Sequence, residues 1–147
     1  MGILPSRGNW NLGIEDRNPL NLNKREISMK ILIVDDDPGT TDLLEISTSL
    51  WGYYPGKAGR ADDALELLNR NSYDILITDA EMPGMSGFDL CRTVRSRFPH
   101  MFIIGITGSL DFRKFEEAGA DTFFRKPFKL DDLHAVLRNI QPAFESG

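Results

Sequence analysis

Ile31-Leu32-Ile33-Val34-Asp35-Asp36-Asp37 is an apolar run that stops on three carboxylates. The form returns at Ile75-Leu76-Ile77-Thr78-Asp79, and a third run, Thr122-Phe123-Phe124-Arg125, stops on Lys126-Pro127. Short β-branched runs bounded by polar or turn residues read as buried strands of a parallel sheet. Ligands of such sheets gather outside the carboxyl ends of the strands, so the acids and the lysine are expected to share one edge. Carboxylates held together repel, and a site with three or more of them needs a bound cation, a shared proton or open solvent at neutral pH. A hard divalent cation is the economical answer.

Outward from these runs the chain alternates strand and helix patterns with short connections, the signature of βαβ units. Strands are expected at 30–35, 53–58, 74–79, 101–107 and 121–125, and helices near 39–51, 61–70, 86–97, 110–118 and 130–140. Pro55 and Gly56 would damage a central strand but are tolerable at an edge, where the missing N–H faces solvent. Ala64, Leu65, Leu67 and Leu68 form an apolar stripe, and Ser86 is placed to cap the third helix. Asp131 and Asp132 fall in the first turn of the last helix, and Gly119 stands where a C′ residue closes the fourth. Right-handed crossovers with strand 2 at the edge give a doubly wound α/β fold, a five-stranded parallel sheet in the order 2-1-3-4-5. Strands 1 and 3 are then neighbours, which brings Asp35, Asp36 and Asp79 together at the switch point.

The 147 residues suit one domain, and 41% apolar with 27% charged content is ordinary for a soluble protein. No apolar stretch is long enough to span a bilayer and no signal-peptide core opens the chain, so the expectation is a cytoplasmic protein without a membrane partner. The net charge of −5 argues against a nucleic-acid surface. Lys24-Arg25 and Arg113-Lys114 read as solvated faces. Cys91 is the single cysteine, with no Cys/His pattern around it, and reads as a small core residue. Residues 1–28 hold five Asn, two Pro and three Gly without periodicity, the composition of a flexible N-terminal extension. The opening Met1-Gly2-Ile3-Leu4-Pro5-Ser6 fits a loose myristoylation pattern, too short to carry that assignment. The domain proper is expected at 29–141, with 142–147 a short tail.

Taken together, Val34-Asp35-Asp36-Asp37-Pro38, Asp79-Ala80-Glu81-Met82-Pro83-Gly84-Met85-Ser86-Gly87, Thr107-Gly108, Ala118-Gly119-Ala120-Asp121 and Lys126-Pro127-Phe128 carry a resemblance. Each piece is weak alone; in this order, at the ends of strands 1, 3, 4 and 5, they are specific. Residues 29–140 resemble the receiver domain of bacterial two-component response regulators, the flavodoxin-like receiver fold shared with the chemotaxis response regulator. The resemblance implies that Asp79 is the phosphoacceptor and that Mg²⁺ is held by Asp36 and Asp79, by Asp35 largely through water, and by the backbone carbonyl of Glu81. It further implies that Thr107 and Lys126 bind phosphoryl oxygens. The function implied is a phosphorylation-activated regulator that catalyses only its own phosphoryl transfer and autodephosphorylation. Its phosphoryl group would come from a sensor histidine kinase or histidine phosphotransfer protein, and its output would be a downstream protein or onward transfer.

The residue types suit that chemistry. Phosphoryl transfer to a carboxylate asks the protein mainly for positioning and charge neutralisation. Mg²⁺ takes one or two carboxylates plus phosphate and keeps waters. Lys126 offers a compact point charge, and Gly108 leaves room for a donor. Blander roles stand beside these: Asp37 as a helix cap, Thr107 as a strand residue, Lys126 in a structural ion pair. A haloacid-dehalogenase-like phosphatase would want Asp and Thr where Glu81 and Pro83 stand. A flavodoxin-like carrier would find its flavin phosphate repelled by Asp36 and Asp37. A pseudo-receiver acting as an interaction module remains the serious rival.

Two departures from the family pattern matter. The interval from Thr107 to Gly119 is about three residues short of the usual receiver, which abbreviates the fourth helix or the loop before it. Phe123 stands where many receivers carry tyrosine, so it lacks the phenol's hydrogen bond. Thr107 and Phe123 are the expected switch pair: the hydroxyl moves toward the phosphoryl group and the ring turns inward. Phe112, Phe115, Phe123 and Arg125 are expected on the responding surface. His100 and His134 lie away from the acidic edge. With Gly147 seven residues after the last expected helix, the expectation is a single-domain regulator. Deleting residues 1–28 should leave melting temperature and phosphorylation nearly unchanged; a loss of several degrees, about 1 kcal/mol for a domain of this size, would show that the arm packs on the core.

Overall fold

The apolar runs from residue 30 onward form strands, joined by the more polar edge strand at Tyr54–Ala58, and a helix follows each strand. The computed structural model describes residues 28–110 and 113–141. In it β1 is Lys30–Val34, α1 Pro38–Leu50, β2 Tyr54–Ala58, α2 Ala61–Arg70 and β3 Ile75–Asp79. There follow α3 (Gly87–Arg97), β4 (Phe102–Thr107), α4 (Arg113–Ala118), β5 (Thr122–Arg125) and α5 (Leu130–Arg138). The strands make one parallel sheet in the order β2-β1-β3-β4-β5, as the sequence leads one to expect. The expected extension up to residue 27 and the tail at 142–147 lie outside the described residues.

Alternation along the strands sorts the core into two layers. Leu32, Val34, Leu76 and Ile103 face α2, α3 and α4, where Ala64, Leu68, Leu90, Val94 and Phe115 meet them. Ile31, Ile33, Ile75, Ile77, Ile104 and Ile106 face Leu44 of α1 and Leu133 and Leu137 of α5. Each such side chain contributes roughly 1.5–3 kcal/mol on burial, so the strand ends that carry the polar residues are held by packing on both faces.

The edge placement of β2 follows from its proline. Tyr54 N–H donates to Met29 O at 3.0 Å, and Ala58 O accepts from Asp35 N–H at 3.2 Å, so these residues address β1 and Pro55 between them turns outward. Opposite the faces of the sheet, helix ends are set by side chains. Asp37 caps α1, accepting from Gly39 N–H at 3.3 Å and from the Thr40 hydroxyl at 2.8 Å, with Pro38 opening the helix. Those bonds, the Thr40 one foremost, hold the exposed Asp37 carboxyl below its ordinary pKa. The Ser86 hydroxyl caps α3 by accepting from Asp89 N–H at 3.1 Å. Gly119, at φ +100°, ends α4.

α4 is shorter than expected from 110–118, since its described helix begins at Arg113 and Leu110 still lies in the preceding bend. The Thr107 hydroxyl takes the Ser109 N–H at 3.0 Å, a local turn that competes with helix at that point.

Gly87 is constrained from another direction. Its N–H donates to Ala80 O at 2.8 Å, and a β-carbon there would stand 1.7 Å from Asp79 O and 2.7 Å from Asp79 C. The first turn of α3 thus rests directly on the backbone at the end of β3. Gly87→Ala should cost about 3 kcal/mol, because backbone rather than a flexible side chain must yield. A urea midpoint unchanged from wild type would refute this.

Candidate functional site

With β1 and β3 adjacent and Val34 opposite Thr78, Asp35 and Asp79 emerge side by side at the carboxyl edge. One carboxylate oxygen each from Asp35, Asp36 and Asp79 lies within 4.8 Å of the others. Asp35 and Asp79 are buried and Asp36 is exposed. Asp35 is oriented by the Asp37 N–H, which donates to its Oδ1 at 2.9 Å. From the far side of β4, Lys126 brings its Nζ to 3.0 Å from Asp79 Oδ1 and 3.4 Å from Asp35 Oδ2. A cis peptide joins Lys126 to Pro127, and Lys126 N–H donates to Thr107 O at 2.8 Å.

Burial pushes the Asp79 carboxyl above its ordinary pKa; the Lys126 hydrogen bond pulls down, and the Asp35 charge adds to the rise. Burial alone would lower the Lys126 pKa, but its hydrogen bond to Asp79 and the charges of Asp79 and Asp35 outweigh that and raise it. The lysine is therefore a standing cation, and one lysine stands against three acids. The donor set is all oxygen, converging and short of positive charge, which fits a hard divalent ion such as Mg²⁺.

The structure thus brings together Asp35, Asp36, Asp79 and Lys126. Thr107 ends β4 with its side chain fully buried and its hydroxyl engaged by Ser109 N–H. The Glu81 side chain is exposed and stands outside the carboxylate cluster. Phe123 is half-buried against the α2–α4 core layer. Phe115 is a correction: expected on the responding surface, it is completely buried. A helix of six residues is too short for its apolar spacing to say which face its one aromatic takes. Phe112 lies outside the described residues. His134 stacks on Trp51, with ring centroids 4.1 Å apart, far from any role with the acids. Cys91 is buried, and burial pushes its thiol up to about 11, which suits a core residue.

A family model described as the response regulator receiver domain matches residues 31–138. The chain belongs to that family. Among curated relatives, the uncharacterised transcriptional regulatory protein YrkP of Bacillus subtilis is 38% identical over 111 residues, 74% of this chain and 48% of its own length. The DNA-binding response regulator MtrA of Mycolicibacterium smegmatis is 34% identical over 111 residues, 74% of this chain and 49% of its length. The chain spans about half the length of these relatives, and DNA binding is a property of the longer MtrA. Among solved structures, the response regulator TrrA of Thermotoga maritima in complex with Mg²⁺-BeF has a TM-score of 0.69 at 31% identity, covering 75% of this chain and 96% of that one. The chemotaxis response regulator CheY4 of Vibrio cholerae has a TM-score of 0.72 at 25% identity, covering 78% and 99%. As a receiver, the chain has the expected fold and order of elements, and none of its described helices is long and apolar enough to cross a membrane.

A carboxyl whose pKa rises on folding contributes stability below its unfolded pKa of about 3.8 and loses it as pH climbs through the folded value. At neutral pH, without metal, ionised Asp79 therefore weakens the fold. Asp79→Asn should raise the melting temperature of metal-free protein at pH 7 by about 4 °C, roughly 1 kcal/mol, and the gain should shrink toward pH 4. A melting temperature that falls at pH 7 would contradict the sign.

Proposed function

We propose that this receiver is a phosphorylation-activated signalling protein whose Asp79 accepts a phosphoryl group from a sensor histidine kinase or histidine phosphotransfer protein. The observation that carries the reading is the buried Asp79 carboxylate, 3.0 Å from Lys126 Nζ and clustered with the Asp35 and Asp36 carboxylates. Asp35, Asp36 and Asp79, with the Glu81 carbonyl, would hold Mg²⁺, which when bound supplies charge neutralisation for the incoming phosphoryl oxygens. A carboxylate oxygen of Asp79 forms the new O–P bond as the P–N bond to the donor imidazole breaks, leaving an aspartyl phosphate. Lys126 moves its charge from the carboxylate to the phosphoryl group, and the Thr107 hydroxyl turns from Ser109 N–H to a phosphoryl oxygen. Phe123, beside β4, is the proposed ring of the switch. Output passes to a downstream protein partner or onward to another histidine.

A protein donor needs a surface to hold it. Leu43, Ile46 and Leu50 form an exposed i, i+3, i+7 stripe on α1. Beside it a cleft of about 530 Å³ runs between Leu43, Phe128 and Leu130 and reaches Lys126. This apolar track ends at the acceptor edge, which suits an amphipathic donor helix that presents a histidine there.

Acetyl phosphate with Mg²⁺ should label the wild type at one site and leave Asp79→Asn unlabelled. Asp36→Ala should weaken Mg²⁺ binding about tenfold or more from an affinity on the order of 4–8 kcal/mol. Ile46→Asp should keep acetyl phosphate labelling while slowing transfer from a protein donor. Wild-type protein that takes no label would make the chain a pseudo-receiver.

A further inference from the structure

Phe115 occupies an unusual seat. A β-carbon on Gly105 would stand 2.5 Å from both Cγ and Cδ2 of the Phe115 ring, so the ring fills the side-chain slot that β4 leaves empty. Gly105 lies two residues before Thr107, on the same face of the sheet, and its neighbour on β5 is Phe123. The ring also meets Phe88, at 4.6 Å between centroids and 52° between planes. Phe88 follows Gly87, whose Cα sits hard against the Asp79 carbonyl. Two short routes therefore lead from the end of β3 to one ring, across the Asp79–Ile106 pairing into the Gly105–Thr107 stretch of β4 and through Gly87 and Phe88.

The other end of α4 is tied down. Arg95 of α3 donates from Nε to Gly119 O at 2.9 Å and from Nη2 to Asp121 at 2.6 Å, and Cys91 Sγ contacts Ala118 O at 3.5 Å. Because the ring is completely buried and the surrounding layer is close-packed, a shift of β4 or of the α3 turn cannot be absorbed locally. With Gly119 held, the short helix can respond only at its Arg113 end.

We propose that Phe115, seated on Gly105 and against Phe88, is the positioning residue that carries the state of Asp79 into α4, turning the helix about its Gly119 end. The proposal rests on Asp79 being the phosphoacceptor. It gives α4 a route of its own, through a buried aromatic on the helix itself, separate from the Phe123 ring that responds on β5. A swap that keeps the volume but cuts the bridge is Gly105→Val with Phe115→Ala, which fills the slot from β4 instead of from α4.

The test compares amide shifts with Mg²⁺ and beryllofluoride, an aspartyl-phosphate mimic, in wild type, the swap and Phe123→Leu. All three should saturate at the amides of Thr107 and Lys126. Shifts over residues 113–118 should shrink about threefold or more in the swap and persist in Phe123→Leu. Undiminished 113–118 shifts in the swap, or their loss in Phe123→Leu alone, would overturn the proposal. Should the swap fail to show a cooperative melt, Phe115→Leu replaces it under the same criterion. Wild-type protein with no saturable change at Thr107 and Lys126 would overturn the acceptor reading, and the proposal with it.

Discussion

Two carboxylates buried at one end of a parallel sheet repel each other, and Lys126 is the cation that meets both. That meeting depends on distant parts of the chain, since Asp35 follows β1, Asp79 ends β3, and Lys126 follows β5 on the other side of β4. Only the correct strand order brings the lysine within 3.0 Å of Asp79 and 3.4 Å of Asp35. A wrong order would leave buried charge unpaired, at a cost of several kcal/mol. The pairing is incomplete by design of charge: one lysine against three acids leaves the cluster short of positive charge. Function and fold specificity thus lean on the same contacts.

Much of this was legible in the residues. β-branched runs ending on acids gave β1 and β3, and Pro55 with Gly56 placed β2 at the edge, because a proline cannot donate to an inner ladder. The capping roles of Asp37 and Ser86 followed from residue type and position. What stayed hidden depended on pairs of residues far apart in sequence. Nothing local to Gly105 or Phe115 says that the ring of one fills the slot of the other. Gly87 lies inside a quoted motif, yet its close approach to the Asp79 carbonyl is a fact of packing. The solvent-facing stripe of Leu43, Ile46 and Leu50 has helical spacing, so the residues alone read as an ordinary buried face.

Glycine marks the places where the site's backbone is under steric control. At Gly87 a helix rests on the end of β3, and at Gly105 an aromatic rests on the strand that carries Thr107. Gly108 differs, because a β-carbon there would meet none of the described residues within 4 Å. The backbone is thus in tight contact at Gly87 and Gly105 and open at Gly108.

The sheet has two open edges, and each is made a poor template for another strand. On β2 the outward-facing Pro55 offers no donor, and Lys57, paired with Asp42 and Glu45 at 2.7 and 2.9 Å, lays charge along the same side. On the opposite edge β5 has only four residues. An apolar parallel sheet of this kind can be crowded without strands of neighbouring molecules zipping together.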